Sequence, residues 1–444
     1  MLRPTLISCI LTILLFTGCE ESPTEVEASG AVAYTTFGGS FDDEGAAVVQ
    51  TSDGGYLIVG NSYSGTGTSL TDLYAIKTDA GGDTTAISTQ IFSDMTDATE
   101  DVTSFDLVSD VKVLADGSYI LVGSKYDGTA TGNNYDVWLV KLTAELTVDF
   151  SKTYGSTGND FGYSVSLCDD NGFIIAGKTY NSANQNYDMW ILKALSTGLL
   201  ATADSDTDGG FGDPGTPGQV AIDGGVGNDA AYSASQTDDG GFIIAGEVRT
   251  AGGNADMIVL RLNPDGTLPS APSAEFGNTD LSNPADGHLD AYIKTLSLDE
   301  SAKFVQETSD GGFILVGNTF SGGSGQSDIY IVKVSDSGGP VWDRYIGSNR
   351  NDFANSIQQT TDGGFILTGS TYTSSSDILV TKIFPNSQGE VEWQYTMDGG
   401  YDDVGNYISQ TSDGGYILTG STYTSDGMND VILIKLAANG SQEF

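Results

Sequence analysis

Acidic residues recur at one position of a sequence repeat, and clustered carboxylates can bind a divalent cation or a cationic ligand. An acid stands ten residues before the first aspartate of each of seven similar turns: Asp43, Asp106, Asp160, Asp229, Glu300, Asp352 and Asp403. If the strand after each acid is the innermost of its repeat, the carboxylates would ring the mouth of a central channel. The alternative is that each carboxylate caps a loop by accepting hydrogen bonds from backbone amides. An acid in every copy favours the cap, because binding sites usually break symmetry.

A second carboxylate pattern, DSDTDG at residues 204–209, matches the first half of a calcium-binding loop. In such loops alternating aspartates point inward and the glycine permits a sharp turn. The pattern is truncated, because Gly215 stands at the twelfth position, where a bidentate glutamate is expected. A plain acidic loop is the alternative to a structural Ca²⁺ site. The candidate ligands are Asp204, Asp206, Asp208 and Asp213.

Residues suited to nucleophilic catalysis are scarce. The chain has one histidine, His288, and of its three cysteines Cys168 stands alone in a predicted strand. These residues do not indicate a nucleophile with its base. The few arginines do not supply the cluster that sialidases place on a substrate carboxylate: Arg249, Arg261, Arg344 and Arg350. The remaining enzymatic alternative is a carboxylate pair that cleaves a polysaccharide, with Asp299 and Glu300 as the residues to test.

The elements that carry these residues repeat seven times. Each copy has a turn followed by an apolar run, as in SDGGYLIVG from Ser52 and TDGGFILTG from Thr361. The first turn aspartate and the closing glycine are seven residues apart in every copy: Asp53/Gly60, Asp116/Gly123, Asp170/Gly177, Asp239/Gly246, Asp310/Gly317, Asp362/Gly369 and Asp413/Gly420. Such self-similarity is typical of propellers and other repeat arrays.

One copy, at residues 352–397, has the pattern of a four-stranded unit. An Asp-Gly hairpin joins its first two predicted strands, and two further strands follow. The third strand begins with an acid and carries a base five residues later in every copy: Asp72/Lys77, Asp136/Lys141, Asp188/Lys193, Asp256/Arg261, Asp328/Lys333, Asp377/Lys382 and Asp430/Lys435. Residues five apart face opposite sides of a strand, so we expect each base to contact loops or neighbouring units.

Four strands per unit without a helical period predict an all-β fold, a seven-bladed β-propeller with four antiparallel strands per blade. The last copy stops soon after its third strand, whereas an orphan strand at residues 31–37 precedes the first copy. We predict that this N-terminal strand completes the last blade and closes the ring, which removes an open sheet edge. Seven self-contained blades are the alternative. The propeller domain is predicted to span residues 31–444.

The N-terminal residues predict an export signal. Arg3 precedes an apolar run at residues 6–16, which is too short to span a bilayer and fits the core of a signal peptide. The run ends in FTGC at residues 16–19, which resembles a bacterial lipobox. That resemblance implies removal of residues 1–18 and lipidation of Cys19. An ordinary signal peptide with an incidental cysteine is the alternative.

The residues after Cys19 predict where the anchor is sorted. Glu20 resembles the residue found at this position in lipoproteins of the outer membrane, and the pair Glu20-Glu21 resembles surface-export signals of Bacteroidetes lipoproteins. Residues 19–30 have no apolar period and are predicted to form an acidic flexible tether. We therefore expect an outer-membrane lipoprotein exposed at the cell surface, with a periplasm-facing protein as the alternative.

The formal net charge of −43 limits the partners. Such an acidic surface argues against nucleic acid and against anionic lipid headgroups, so the lipid anchor is the expected membrane contact. It suits divalent cations or solubility in a salty medium.

The copies also resemble the SBBP-type (seven-bladed β-propeller) repeats of bacterial surface lipoproteins. The resemblance rests on a repeated order of motifs: an aromatic strand, Gly-Gly, an aspartate, Asp-Gly-Gly-hydrophobic-Gly and Asp-hydrophobic-Lys. The resemblance covers residues 31–444 and implies a fold and a location, not an activity.

Insertions break the symmetry of the copies. Extra residues at 93–104 and 279–299 are both predicted to follow a fourth strand, and so to emerge on one face together with His288. Long loops on a rigid scaffold often carry function, and neutral drift of loop length is the alternative.

We expect a lipid-anchored propeller that acts as a non-enzymatic scaffold for an envelope or extracellular protein. A glycan-binding surface module is the alternative, suggested by Tyr, Asp and Asn in loops such as residues 181–187.

Overall fold

The computed structural model describes residues 24–27, 34–63, 71–92, 106–127, 134–201, 211–212, 216–223, 227–249, 253–268, 291–294, 298–336, 339–385 and 388–444. Regular structure in these ranges is β-strand, arranged in seven sheets of sequentially adjacent antiparallel strands. The predicted seven-bladed β-propeller with four antiparallel strands per blade is confirmed. The predicted signal peptide, Cys19 and the four candidate calcium ligands at positions 204–213 lie outside the described residues. The described residues contain no helix long and apolar enough to cross a membrane.

Two strands precede the first blade, β1 (Thr24–Glu27) and β2 (Thr35–Phe37). Blade one contains β3 (Asp43–Gln50), β4 (Tyr56–Tyr63), β5 (Thr71–Thr78) and β6 (Thr84–Phe92). Blade two contains β7 (Leu107–Val113), β8 (Tyr119–Asp127), β9 (Asn134–Leu142) and β10 (Val148–Tyr154). Blade three contains β11 (Phe161–Leu167), β12 (Phe173–Asn181), β13 (Asn186–Ala194) and β14 (Gln219–Ile222).

Blade four contains β15 (Ala230–Gln236), β16 (Phe242–Arg249), β17 (Ala255–Leu262) and β18 (Ala291–Lys294). Blade five contains β19 (Glu300–Glu307), β20 (Phe313–Thr319), β21 (Asp328–Val334) and β22 (Pro340–Ile346). Blade six contains β23 (Asp352–Gln359), β24 (Phe365–Tyr372), β25 (Ser376–Ile383) and β26 (Val391–Met397). Blade seven contains β27 (Asp403–Gln410), β28 (Tyr416–Tyr423) and β29 (Asn429–Leu436), and it takes its outer strand from elsewhere in the chain.

Both chain ends supply the outer strand of blade seven. β2 pairs antiparallel with β29, with Phe37 opposite Val431, so the predicted closure by the N-terminal strand is confirmed. The C-terminal residues continue the same edge, because the amide of Lys435 donates to the carbonyl of Phe444 at 2.6 Å. β1, within the segment predicted as a tether, pairs parallel with β26 as a fifth strand of blade six. The ring therefore closes without leaving β29 as an open edge.

The core lies between successive blades, which are buried on both faces. The second strand of each blade is a nearly continuous apolar run, as in FILVGNT of β20, where every residue is buried. Continuous rather than alternating apolar residues are typical of strands covered on both faces. The glycine that closes each repeat lies where the first strand crosses closely: a Cβ on Gly369 would lie 1.9 Å from the carbonyl oxygen of Phe353. Glycine at this position therefore lets the first two strands approach each other.

The propeller has two chemically distinct faces. We call the side with the seven Asp-Gly turns the turn face; there Gly363, with φ +86°, adopts the left-handed conformation of such turns. The loop face is the opposite side, with the connections between second and third strands and from one blade to the next. First strands run from the loop face to the turn face along the central channel. The acid ten residues before each turn therefore lies at the loop face.

One prediction about the insertions is wrong. β18 is the fourth strand of blade four, so most of residues 279–299 precede that strand instead of following it. The connection from β17 to β18 leaves from the turn face, whereas residues 93–104 follow β6 and leave from the loop face. The fourth strand was missed because AYIK is only four residues long and has no extended alternation. His288 lies outside the described residues.

Candidate functional site

The seven acids predicted as a channel-mouth ring are buried between blades. Each is at most 4% exposed, and none of the seven is among the residues that line the cavity inside the central channel. The Asp160 carboxylate accepts the amides of Ser156 at 2.6 Å and Tyr180 at 3.1 Å, which fixes the interblade loop against the end of β12. Asp352 accepts the amide of Ser348 at 2.6 Å in the same way. The geometry matches the loop-capping alternative more closely than an open ring of ligands.

The third-strand bases are paired on the turn face. Each binds the first turn aspartate of its own blade: Lys77–Asp53, Lys141–Asp116, Lys193–Asp170, Arg261–Asp239, Lys333–Asp310, Lys382–Asp362 and Lys435–Asp413. This confirms that the bases contact loops, and it identifies the loop. Sequence spacing alone did not reveal the partner, because the pair forms across the register of the second and third strands. That register places Lys382 opposite Ile366, four residues beyond Asp362.

The central channel is narrow and internally satisfied. A cavity of about 290 Å³ is lined by the first strands of all seven blades. Within it, Lys112 Nζ lies 2.5 Å from Asp110 Oδ1 and 5.2 Å from the ring of Tyr407. Although burial acts in the opposite direction, the charge of Asp110 and the contact with Tyr407 raise the pKa of Lys112. The channel charge is therefore paired, and the cavity is at the small end of the range for ligand pockets.

A row of aromatic rings crosses the loop face of blades two and three. We call Tyr126, Tyr135, Phe161, Tyr180 and Tyr187 the aromatic band. Tyr126 and Tyr135 are cross-strand partners at the end of the β8–β9 hairpin, and Tyr180 and Tyr187 are partners at the end of β12–β13. Phe161 joins the two pairs, with ring centroids 5.2 Å from Tyr135 and 6.2 Å from Tyr187. All five side chains are partly exposed, so the band forms a continuous row of rings at the surface.

A cluster of cations and tyrosines continues the band toward the channel. Lys178 Nζ lies 4.7 Å from the ring of Tyr187 and 5.0 Å from that of Phe161. Lys303 Nζ lies 3.7 Å from the ring of Tyr232, a distance at which cation–π attraction is substantial. We call Tyr163, Lys178, Tyr232, Glu247 and Lys303 the lysine–tyrosine cluster.

The lysine–tyrosine cluster is electrostatically coupled. The Tyr232 hydroxyl donates to Glu247 Oε1 at 2.9 Å, and the rings of Tyr163 and Tyr232 lie 5.2 Å apart. Burial lowers the pKa of both Lys178 and Lys303, while the charge of Glu247 opposes that change. One carboxylate therefore faces two lysines in a partly dehydrated site. Such a site can accept an acidic or hydrogen-bonding group, although the protein as a whole is strongly acidic.

Sequence reasoning missed this cluster, but the sequence carries a signal for it. The residue seven positions before each turn aspartate differs from blade to blade: Ala46, Ser109, Tyr163, Tyr232, Lys303, Asn355 and Asn406. The flanking acid and apolar residues recur, so this position varies against a fixed background. In the structure it is the extra residue of a β-bulge, as at Tyr163 between Gly162 and Ser164. A bulge re-aims the side chain, and Asn355, for example, donates its Nδ2 to the carbonyl of Gly405 on the neighbouring first strand at 3.0 Å.

Further exposed aromatics lie on the loop face outside the band. Tyr63 and Tyr372 end second strands and are 38% and 36% exposed, and Tyr401 in an interblade loop is 47% exposed.

Cys168 is buried, and burial raises the pKa of its thiol to about 12. The thiolate required of a cysteine nucleophile is therefore disfavoured at neutral pH.

Comparisons with known proteins return similarity at the level of overall shape. No family model matches the chain, and no curated protein is similar to it. A solved structure of a protein of unknown function from Bacteroides caccae is 10% identical with a TM-score of 0.42, covering 80% of this chain and 97% of that chain. A structure described as YCF48 bound to D1 peptide is 10% identical with a TM-score of 0.47, covering 93% and 98%. A glucose dehydrogenase is 11% identical with a TM-score of 0.42, covering 91% and 99%. Similarity at this level does not identify a function, and membership of the SBBP-type family stays a prediction.

Proposed function

We propose that the chain is a lipid-anchored propeller of the bacterial cell envelope that acts as a non-enzymatic protein-interaction scaffold. The observation that supports this function is the aromatic band, continued by the lysine–tyrosine cluster, on one face of a rigid ring. Tyrosine is enriched at protein interfaces, because its ring contributes a large contact area and its hydroxyl a hydrogen bond. Cys19 would carry the anchor, and the tether would hold the ring at the outer membrane, exposed at the cell surface.

The charge distribution favours a particular kind of partner surface. The full chain has a formal net charge of −43, so the acidic protein attracts basic surfaces and repels acidic ones over distances of about 10 Å at moderate salt. A basic or apolar partner surface could pack its lysine stems and aromatic side chains on the band. The side chains of Lys178 and Lys303 would then lie at the border of the contact, where an acidic residue of the partner could pair with them.

A glycan-binding surface module is the second candidate. Asn159 accepts the backbone amide of Tyr135 at 3.0 Å, and Asn228 accepts that of Tyr187 at 3.2 Å. Each asparagine thus places an amide group beside a ring of the band, and a sugar could stack on the ring while its hydroxyls bond to the amide. A neutral glycan would avoid the repulsion that the acidic surface imposes on an anionic one.

Capture with matched surface variants tests the proposal. The full chain would be displayed as bait, chemically crosslinked to components of the host envelope, and compared with a Tyr135→Ser/Tyr187→Ser variant. A Val148→Ser/Val341→Ser variant is the control, because both valines are exposed and lie at the turn-face ends of β10 and β22. We expect one discrete protein to be retained by the wild type and the control and lost by the band variant. Equal retention by all three baits would overturn the assignment of the loop face, and retention of polysaccharide without protein would replace it with the glycan module.

A further inference from the structure

Three carboxylates converge at the loop face between blades three and four. Oxygen atoms of Asp188, Asp223 and Asp229 lie within 4.8 Å of one another. Asp188 is near the start of β13, Asp223 directly follows β14, and Asp229 directly precedes β15. Two oxygens bound to one Ca²⁺ at about 2.4 Å each can be at most about 4.8 Å apart, so the three side chains are spaced for a shared ion.

A buried oxygen without a donor accompanies the three carboxylates. Asp188 is 6% exposed; its Oδ2 accepts the side-chain amide of Asn181 at 2.8 Å, whereas its Oδ1 is buried and has no hydrogen-bond partner among the described residues. An unsatisfied buried carboxylate oxygen is costly, because nothing replaces the water it loses. Burial raises the pKa of Asp188, Asn181 opposes the rise, and the charge of Asp223 adds to it. A cation would supply the missing partner.

Asn186 is a second buried side chain at this interface with an oxygen that lacks a donor among the described residues. It is 7% exposed, and its Oδ1 is also buried without a hydrogen-bond partner among the described residues. Its Nδ2 donates to the carbonyl of Gly227 at 2.7 Å, in the same interblade loop as Asp229. Asn186 and Asp188 are two residues apart on β13 and so share one face of that strand. The oxygen donors near this interface therefore include an amide as well as carboxylates.

The third carboxylate breaks the sevenfold pattern. Ile222 pairs with Met189 in blade three, and Ile346 pairs with Ile329 at the equivalent position in blade five. The residues that follow these isoleucines are therefore equivalent. They are Asp223 at the interface of blades three and four and Gly347 at the interface of blades five and six. At that interface a Cβ on Gly347 would lie 2.2 Å from Asp328 Oδ1 and 2.9 Å from Asp352 Oδ2. The same position is glycine at two other interfaces, Gly38 and Gly155. Where Asp223 replaces the glycine, the pair of carboxylates thus becomes a set of three. The interblade loop that follows Asp223 is also one residue longer than the loop that follows Gly347.

We propose that Asp188, Asp223 and Asp229 form a Ca²⁺ site between blades three and four. All of the donors are oxygens, which favours hard cations over zinc or copper. Ca²⁺ is preferred to Mg²⁺, because it accepts six to eight oxygens in flexible geometry, whereas Mg²⁺ demands a compact octahedron. The bound ion would join the two blades and fix the turn of β12–β13, whose ends carry Tyr180 and Tyr187. The site is separate from the acidic loop at residues 204–213, which belongs to the connection between β13 and β14.

Calcium stoichiometry with matched variants tests this site. The full chain, purified in detergent and stripped with a chelator, would be titrated with Ca²⁺ by equilibrium dialysis, and Tb³⁺ emission excited through tyrosine would report binding near Tyr187. We expect Asp223→Asn and Asp188→Asn each to bind one Ca²⁺ fewer per chain and to lose the Tb³⁺ signal. Asp398→Asn is the control: Asp398 follows β26 at the equivalent position, but its Oδ1 accepts the amide of Gly400 at 2.7 Å.

A further variant separates the two calcium candidates. Asp204→Asn/Asp206→Asn should leave the Tb³⁺ signal unchanged, whatever it does to total stoichiometry. The proposal is wrong if the wild type binds no Ca²⁺ at millimolar concentration, or if Asp188→Asn and Asp223→Asn bind as much as the wild type. Circular dichroism of each variant in chelator controls for folding. None of these measurements involves a partner, so the site can fail while the scaffold function stands, and the reverse.

Discussion

On the turn face each turn aspartate lies beside a lysine or arginine, whereas on the loop face buried aspartates lie beside other aspartates. The hydrogen bond from Thr411 is the main cause that lowers the pKa of Asp413 to about 2. Burial opposes this change, and hydrogen bonds from Gly415 and Lys435 add to it. Burial raises the pKa of Asp403 on the loop face; hydrogen bonds from Thr422 and Gly399 oppose the rise, and the charges of Asp377 and Asp398 add to it. The same residue type is thus stabilised as an anion at one end of a blade and destabilised at the other.

This difference separates structural from functional chemistry. The turn-face pair recurs in every blade and satisfies its charges within the blade, as expected of a feature that holds the hairpin in register. On the loop face some buried carboxylate oxygens have no donor in the described part of the chain, for example Asp328 Oδ1 and Asp352 Oδ1. Such groups are unfavourable for folding, and they lie on the same face of the molecule as the aromatic band. The turn-face pairs are therefore suited to stabilising the blades, and the proposed function assigns binding to the loop face.

The largest expected effect is the loss of a turn-face base. Lys382 is 1% exposed, and its ammonium contacts Asp362 at 3.0 Å, Glu392 at 3.4 Å and the carbonyl of Ile383 at 3.1 Å. Lys382→Met keeps the apolar stem and removes the charge, which should lower the free energy of unfolding by about 2 kcal/mol. Urea denaturation followed by tryptophan fluorescence measures the change.

The control for this prediction is Glu392, the second acid that contacts Lys382. Glu392→Gln removes the more distant of the two acids and should change stability by less than about 0.5 kcal/mol. A Lys382→Met variant as stable as the wild type would contradict the structural role of the turn-face pairs. A loss shared equally by both variants would indicate that Glu392, not the turn aspartate, carries the interaction.

The second prediction concerns pH and has opposite signs on the two faces. Asp403 has a raised pKa in the fold, so its contribution to stability is complete below the unfolded pKa near 3.8 and is lost as the pH rises through the folded pKa. Asp413 has a lowered pKa, so its contribution is present above 3.8 and is lost as the pH falls toward about 2. Relative to the wild type, Asp403→Asn should therefore gain stability as the pH rises, and Asp413→Asn should lose it.

Thermal melts in chelator, carried down to a pH of about 2 for Asp413 and up to neutral pH for Asp403, measure both trends. Parallel pH profiles for the two variants would break the comparison between the faces. If Asp403→Asn were stabilised in chelator but destabilised in Ca²⁺, a cation would be bound at the interface of blades six and seven as well. That result would extend the metal inference beyond blades three and four.

The fold was predictable because its determinants are local. An Asp-Gly turn and an apolar second strand repeat at fixed spacing, and counting the copies gave the number of blades. The orphan strand before Asp43 and the missing fourth strand after Lys435 together predicted the closure. The short strand β18 was not predictable, because four residues carry too little periodicity, and so the face of the second insertion was assigned wrongly.

The candidate site was only partly predictable, because it depends on contacts between blades. Tyr187 belongs to a loop that the sequence suggested as a binding segment. Tyr232 and Lys303 lie in different blades, 71 residues apart in the chain, and meet only when the ring places two bulged first strands side by side. The carboxylates of Asp188 and Asp229 were recognised separately, as a third-strand acid and as a ring acid. Their proximity follows from the stacking of blade four on blade three.

A change within the aromatic band should affect stability less than the loss of a turn-face base. Tyr135→Ser removes ring contacts with Tyr126 at 5.3 Å and Phe161 at 5.2 Å, each worth about 1 kcal/mol or less at a partly exposed site. The free energy of unfolding should therefore fall by less than in Lys382→Met, while retention of the partner should fall much further. Denaturation and capture measured on the same two variants would show this inversion. If Tyr135→Ser unfolded the protein as readily as Lys382→Met, the band would be part of the core, and the distinction between a structural turn face and a binding loop face would fail.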